Sequence, residues 1–206
     1  MYLSRLTLNR SRAAILWLSN PYRVHQRLKM ACDGDPRLLF RIEEGSDTTH
    51  ILVQSHTPPN WQAAFADLSV LAKPAEQKTF EPELQAGRAY HYRLLANPTI
   101  KKTVDTDGDQ KRKIRMGIIK EEEQINWLTR KLKTAGADLI QCTIVPRGLQ
   151  HSHKGNKEGK RQTHLAVLFE GMLVVRDPLT VTKALEAGIG SAKGYGFGLL
   201  SLAPEK

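Results

Sequence analysis

Apolar and polar side chains alternate from Tyr2 to Leu8, the period-2 pattern of a half-buried strand. Asn20-Pro21 then marks a helix start: a capping side chain followed by proline at the first helical position, where its fixed φ suits the helix. Val24, Leu28 and Ala31 fall on one stripe of that helix at about 100° per residue. Leu38–Ile42 and His50–Ser55 read as strands separated by the turn residues Glu44-Gly45-Ser46-Asp47. Pro58-Pro59-Asn60 leads into a short helix at Trp61–Phe65, and a final strand closes this half. Pro74–Gly87, rich in Pro, Glu and Gln, reads as a linker.

The order repeats at larger scale. Tyr90, Tyr92 and Leu94 alternate within a strand at Arg88–Ala96, and Asn97–Gly117 is a polar, basic stretch expected to be mobile. Ile125, Leu128 and Leu132 lie at helical spacing in Lys120–Leu132. Glu121, Glu122 and Glu123 open that helix and Arg130, Lys131 and Lys133 close it, both matched to its dipole. Ala135-Gly136 ends it. Leu139–Val145 and Thr163–Gly171 read as strands flanking a long basic hairpin, Leu179–Ala187 as a helix, and Leu199–Leu202 as the last strand. Two βαββαβ units in tandem predict an α+β protein of two ferredoxin-like domains, residues 1–84 and 88–206, each an antiparallel sheet with helices on one face.

Charge narrows the partner. The 206 residues carry 31 Lys/Arg against 21 Asp/Glu, a net charge of +10, and the excess is patchy. Lys101–Lys133 holds ten Lys/Arg against six acids, and Arg147–Arg161 holds five against one, with His151 and His153 beside them. Such clusters are the footprint of a polyphosphate partner, nucleic acid first. No basic amphipathic helix with a bulky apolar face offers itself to an anionic membrane. The alternating N-terminus lacks the continuous apolar core of a signal peptide. Cys32 and Cys142, far apart and outside any C-x-x-C, read as thiols of a reducing cytoplasm.

Three groups of residues could carry chemistry. Gly188, Gly190, Gly194, Gly196 and Gly198 form a loop entering the last strand, with Lys193 among them; bare N–H groups there could cradle phosphate oxygens. The run is not a Walker loop, because no Lys-Ser or Lys-Thr pair follows. On the Asn20 helix, Tyr22, His25 and Lys29 fall opposite the apolar stripe, so a phenol, an imidazole and an ammonium share one surface. Histidine gives or takes a proton near neutral pH, and lysine stabilises the charge gathering on a phosphorane. Lys154-Gly155-Asn156-Lys157-Glu158-Gly159-Lys160-Arg161 is the tip of the basic hairpin, suited to tracking a groove between two phosphate backbones. Two metal readings are set aside. His151, His153 and His164 sit among lysines that would repel a cation, and Asp105–Asp109 has its glycine too early for a calcium loop.

With these residues located, the chain resembles the CasE family, the CRISPR repeat-RNA endoribonucleases of the type I-E Cascade system. The likeness runs from Met1-Tyr2-Leu3-Ser4 through Asn20-Pro21-Tyr22-Arg23-Val24-His25, Leu52-Val53-Gln54-Ser55 and Arg93-Leu94-Leu95-Ala96-Asn97-Pro98. It continues through Trp127-Leu128, Arg130-Lys131-Leu132, Leu168-Phe169-Glu170-Gly171 and the glycine loop to Ala203-Pro204. The resemblance implies two ferredoxin-like domains, binding of a CRISPR repeat hairpin, and one metal-independent cut at its 3′ base. The RNA's own 2′-hydroxyl would attack, leaving a 2′,3′-cyclic phosphate and a 5′-hydroxyl. No cofactor is implied, and the partners are the repeat RNA and the other Cascade subunits. His25 would be the main acid or base, Tyr22 would assist, and Lys29 completes the catalytic set. RNA contacts are expected from Arg23, Arg27, Lys101, Lys102, Lys111, Arg112, Lys113, Arg115, Lys154, Lys157, Lys160, Arg161, Gly188, Gly190, Lys193, Gly196 and Gly198. Gln26-Arg27 follows His25 where some relatives place an arginine directly after it, so which arginine meets the scissile phosphate stays open. A catalytically inactive hairpin-binding subunit is the alternative; a nucleotide-binding enzyme lacks its lysine and carboxylates.

Overall fold

The alternation at the N-terminus becomes strand β1 (Tyr2–Leu8), and the computed structural model describes residues 1–35, 37–106, 110–153 and 161–205. Helix α1 (Arg12–Leu18) follows, capped by Ser11 and burying Ala14 and Trp17. The sequence pattern does not predict it. Ile15, Leu16, Trp17 and Leu18 are consecutive, and Ile15 and Leu16 remain exposed, so no helical period shows. Helix α2 (Pro21–Ala31) starts where predicted, with the Asn20 side chain accepting from the Tyr22 N–H. Strands β2 (Leu39–Glu44) and β3 (Thr49–Ser55), helix α3 (Trp61–Ala64) and strand β4 (Glu76–Thr79) complete the first half. β4 lies inside the stretch read as a linker. Its side chains are all exposed, and its backbone pairs with β1.

The first sheet runs β2-β3-β1-β4, every neighbouring pair antiparallel. Val24 and Leu28 of α2 and Trp61 and Phe65 around α3 meet Leu6, Phe40, Ile51 and Val53 of the sheet in one apolar cluster. Full burial of a side chain such as Leu28 contributes roughly 1.5–3 kcal/mol.

The second half holds β5 (Ala89–Ala96), β6 (Thr99–Thr106), β7 (Gln110–Gly117), α4 (Glu121–Thr134), β8 (Ala137–His153), β9 (Arg161–Val175), α5 (Pro178–Ala187) and β10 (Leu200–Pro204). Its main sheet runs β10-β5-β9-β8, again antiparallel. In both sheets the first and third strands of a βαββαβ unit lie inside, with the second and fourth at the edges. That is the ferredoxin-like arrangement, twice. Leu128 and Leu132 of α4 and Val181 and Leu185 of α5 cover the second sheet through Leu94, Phe169 and Leu173.

Two departures from the sequence reading matter for the site. The segment expected to be mobile forms a separate β6–β7 ladder, in which Lys101 opposes Arg115 and Thr103 opposes Lys113. And β8–β9 runs well past the sheet as a paired extension, bent where its register shifts between Pro146 and Gly148.

Arg41 ties the halves together. It is 2% exposed, and its guanidinium pairs with Glu43 at 2.7 Å. It also donates to the Leu199 carbonyl at 3.0 Å, the Arg93 carbonyl at 3.2 Å and the Ser201 hydroxyl at 3.0 Å, all in the second half. Removing one partner of such a network strands the others. Arg41→Met is therefore expected to destabilise the fold by about 3 kcal/mol, lowering the thermal midpoint by roughly 6–12 °C at this size. Calorimetry on the two proteins checks this; a change below about 1 kcal/mol would mean the network is not a structural tie.

Candidate functional site

Pro21, Val24, Leu28 and Ala31 of α2 face the core, which turns Tyr22, His25 and Lys29 outward as the wheel predicts. Asn20 fixes the start of the helix twice over. Its amide donates to the His153 carbonyl at 3.2 Å and accepts from the His153 N–H at 3.4 Å, bolting α2 to the far end of β8.

The glycine loop closes against this helix face. Its centre is a 3₁₀ turn, Lys193–Tyr195, entered through Ala192 (φ 62°) and left through Gly196 (φ 90°). A Cβ on Gly194 would stand 3.6 Å from the His25 ring, and the His25 and Phe40 ring centroids are 6.1 Å apart, tilted by 31°. The Tyr22 ring lies 6.1 Å from Tyr195, tilted by 32°. Tyr195 is fixed in turn: its carbonyl accepts from Gln150 at 2.7 Å, and the His164 ring packs on it at 4.6 Å. The loop and the helix, distant in sequence, thus make one surface.

Electrostatics set its chemistry. Burial, and then the charge of Lys29, hold the His25 imidazole below its usual pKa, so it is neutral at pH 7 and can accept a proton. Burial, and then Tyr22, raise the Tyr195 phenol. Burial lowers the Lys193 ammonium, with the charges of Arg37 and Lys131 adding to it. A half-buried imidazole beside a phenol and an ammonium can move a proton and stabilise developing negative charge.

The glycines expected to touch RNA also make close contacts within the protein. A Cβ on Gly188 would come 2.8 Å from the Leu39 side chain, and one on Gly198 2.8 Å from the Ile189 carbonyl. The N–H groups of Ile189, Tyr195, Gly196 and Gly198 all donate to backbone carbonyls. Three of these donors are engaged inside the loop and that of Gly198 on the Leu95 carbonyl of β5, and Gly188 and Gly196 pack the loop against β2.

Beside Tyr195 a groove of about 940 Å³ is lined by Asn97, Arg115, Met116, Ile119, Leu149 and His164 among others. A smaller cavity of about 430 Å³ lies between the sheets, at Arg41, Glu43, Arg93, Arg147 and His151.

The whole chain finds relatives consistent with this surface. Residues 1–204 match the family described as CRISPR associated protein. The chain belongs to this family. The CRISPR-associated endoribonuclease Cse3 of Thermus thermophilus is 34% identical over 221 residues, covering 99% of this chain and 100% of that protein. The Cascade subunit CasE of the Escherichia coli CRISPR system is 36% identical over 215 residues, covering 99% and 100%. A solved structure of the endoribonuclease Cse3 bound to a 19-nucleotide RNA superposes with a TM-score of 0.82 at 34% identity, covering 99% of this chain and 100% of that one.

Against this family background the remaining expected residues sort by position. Arg23 and Lys29 are exposed on α2, near His25. Arg27 is not with them: its guanidinium pairs with Asp67 and donates to the Ala64 carbonyl at 2.9 Å, on the α3 side. Lys101, Lys113 and Arg115 share one face of β6–β7, with Lys102 on the other, and Lys111 and Arg112 lie further along β7. Arg161 starts β9 opposite His153, close to the Asn20 bolt. Lys154, Lys157 and Lys160 lie outside the described residues. His151 and His153 share one face of β8, whereas His164 opposes Gln150 on the other, so the three rings do not converge. Among the described residues no three His, Cys, Asp or Glu side chains are grouped to hold a metal. No described helix is long and apolar enough to cross a membrane. Cys32 and Cys142 are free thiols.

Sequence reasoning missed Tyr195, Gln150 and His164 as parts of this surface. Only Tyr195 carried a signal, as the aromatic inside the glycine run.

Proposed function

We propose that this protein is a metal-independent endoribonuclease. It binds the hairpin of a CRISPR repeat, cuts the precursor once at the 3′ base of the stem, and stays on its product as a subunit of a Cascade complex. The unit at residues 1–84 supplies the cleaving helix, and the unit at 88–206 supplies most of the RNA-holding charge. The observation that carries this reading is the neutral, half-buried His25 next to Phe40 and Gly194, on the same helix face as Tyr22. The relatives' names give the substrate class.

In the proposed reaction His25 takes the proton of the ribose 2′-hydroxyl. The 2′-oxygen then bonds to the adjacent phosphorus, the bond to the 5′-oxygen breaks, and that oxygen leaves with a proton drawn from water, to which the imidazolium returns the one it took. Tyr22 donates a hydrogen bond to the phosphate, and the Lys29 ammonium stabilises its added negative charge. The products are a 2′,3′-cyclic phosphate and a 5′-hydroxyl. Mapping both ends of labelled repeat RNA after incubation tests the assignment: a single cut with those ends is expected, and 3′-hydroxyl or 5′-phosphate ends would refute it.

Lys101 and Arg115 sit directly opposite on an exposed ladder, an arrangement of like charges that costs stability unless an anion lies over it. Replacing Lys101, Lys113 and Arg115 with glutamine is expected to make log K against log salt shallower by about 0.9 for each phosphate no longer neutralised, a scale set on B-DNA. Filter-binding at several salt concentrations measures it. An unchanged slope would remove this face from the RNA site.

A further inference from the structure

Asn97-Pro98 follows β5 directly. Asn97 closes β5, is only 6% exposed, and its amide donates to His164 Nδ1 at 3.2 Å. That bond makes Nδ1 the acceptor and leaves the ring proton on Nε2. Nε2 is buried with no hydrogen-bond partner. Around it stand two aromatic rings: Tyr195 at 4.6 Å, tilted by 42°, and Phe197 at 5.8 Å, edge-on. An N–H directed at an aromatic face is only a weak contact. A phenylalanine would stack there without stranding a nitrogen, so the imidazole is held for its link to Asn97.

That link has a consequence two rings away. Asn97 fixes the rotation of the His164 ring, His164 lies on Tyr195, and Tyr195 lies beside Tyr22. Gln150 holds the other end of Tyr195 through its carbonyl. The turn that meets His25 is therefore clamped from both sides. We infer that His164, oriented by Asn97, is a positioning residue that holds Tyr195, and through it Tyr22, in register with His25. The inference rests on the assignment of Tyr22 and His25 to the cleaving face.

Single-turnover cleavage and hairpin affinity, measured on the same variants, test it. His164→Ala is expected to slow cleavage about 10-fold or more, since a misplacement near 1 Å can cost 10². Affinity should change less than about twofold, because the ring holds catalytic geometry rather than RNA. His164→Phe keeps a ring on Tyr195 but loses the bond from Asn97, so its rate should stay well below the parental one. In a Tyr22→Phe background, His164→Ala should add almost nothing, because a residue acting through Tyr22 cannot be lost twice. Rate losses that multiply in that background overturn the inference, as does an affinity loss that accounts for the slower cutting. A His164→Phe protein that cuts at the parental rate overturns it too, since that ring has no bond from Asn97. If Tyr22→Phe and His25→Ala themselves cut at the parental rate, the reading of α2 fails and the positioning role falls with it. If those two are slow while His164→Ala is fast, the α2 reading stands and the positioning role alone is wrong.

Discussion

His25→Ala is expected to slow single-turnover cleavage of repeat RNA by about 10²-fold or more, the usual scale for a lost general base. Affinity for the hairpin should barely change, because the half-buried ring lies next to Phe40 and Gly194 rather than on the charged ladder. The pH dependence follows from the same surroundings. Burial, and then Lys29, lower the pKa of His25, and the reaction needs the neutral ring. Cleavage should therefore fall away only on the acid side of the ordinary histidine range, and stay level through neutral pH. Lys29→Ala removes one of the two causes, so the acid limb should move to higher pH while the plateau drops. Rate profiles of the parent and Lys29→Ala decide this. A limb that does not move, or an alanine variant at position 25 that cuts at the parental rate, assigns proton transfer elsewhere.

The features legible in the sequence are those with a local physical signature. The cap Asn20-Pro21, the stripe Val24-Leu28-Ala31 and the charge-matched α4 each follow from side chains within a few residues of one another, and all stand where expected. The two βαββαβ orders are readable because most of their strands bury one face. Where no face is buried the pattern disappears. β4 is Glu-Gln-Lys-Thr, held by backbone pairing with β1, and β6–β7 is a ladder of exposed charge. Neither leaves an apolar period to read, so one resembles a linker and the other a mobile loop.

The site divides along the same line. Tyr22, His25 and Lys29 share a helix face, which spacing reveals. Their meeting with Tyr195 depends on β8, β9 and the glycine loop reaching the same place, which only long-range pairing determines. Glycines announce backbone freedom without saying what fills the space beside them. Here Leu39, Phe40 and the loop's own carbonyls stand beside Gly188, Gly196 and Gly198. Arg27 shows the reverse case. A basic residue next to the reacting face looks available, yet Asp67 and the Ala64 carbonyl engage it on the other side of the helix.

A repeat RNA with one 2′-deoxy sugar, at the nucleotide 5′ of the cut, is expected to bind normally and remain whole. The argument is stoichiometric. In the proposed step the only new bond to phosphorus comes from that 2′-oxygen, so removing it removes the nucleophile and leaves every other group in place. Binding survives because a single hydroxyl is a small part of a surface built on phosphate contacts. The same step predicts that chelation with EDTA leaves the parental rate untouched. Neutral imidazole, phenol and ammonium between them move the proton and stabilise the charge. Water attacking in place of the 2′-hydroxyl would need a different activator and would leave no cyclic phosphate. The two substrates run side by side, with and without EDTA, separate these cases. Cutting of the deoxy substrate at the parental rate would rule out 2′-hydroxyl attack. Loss of cleavage in EDTA, with the thermal midpoint unchanged, would show that a metal does what Lys29 and Tyr22 are assigned here.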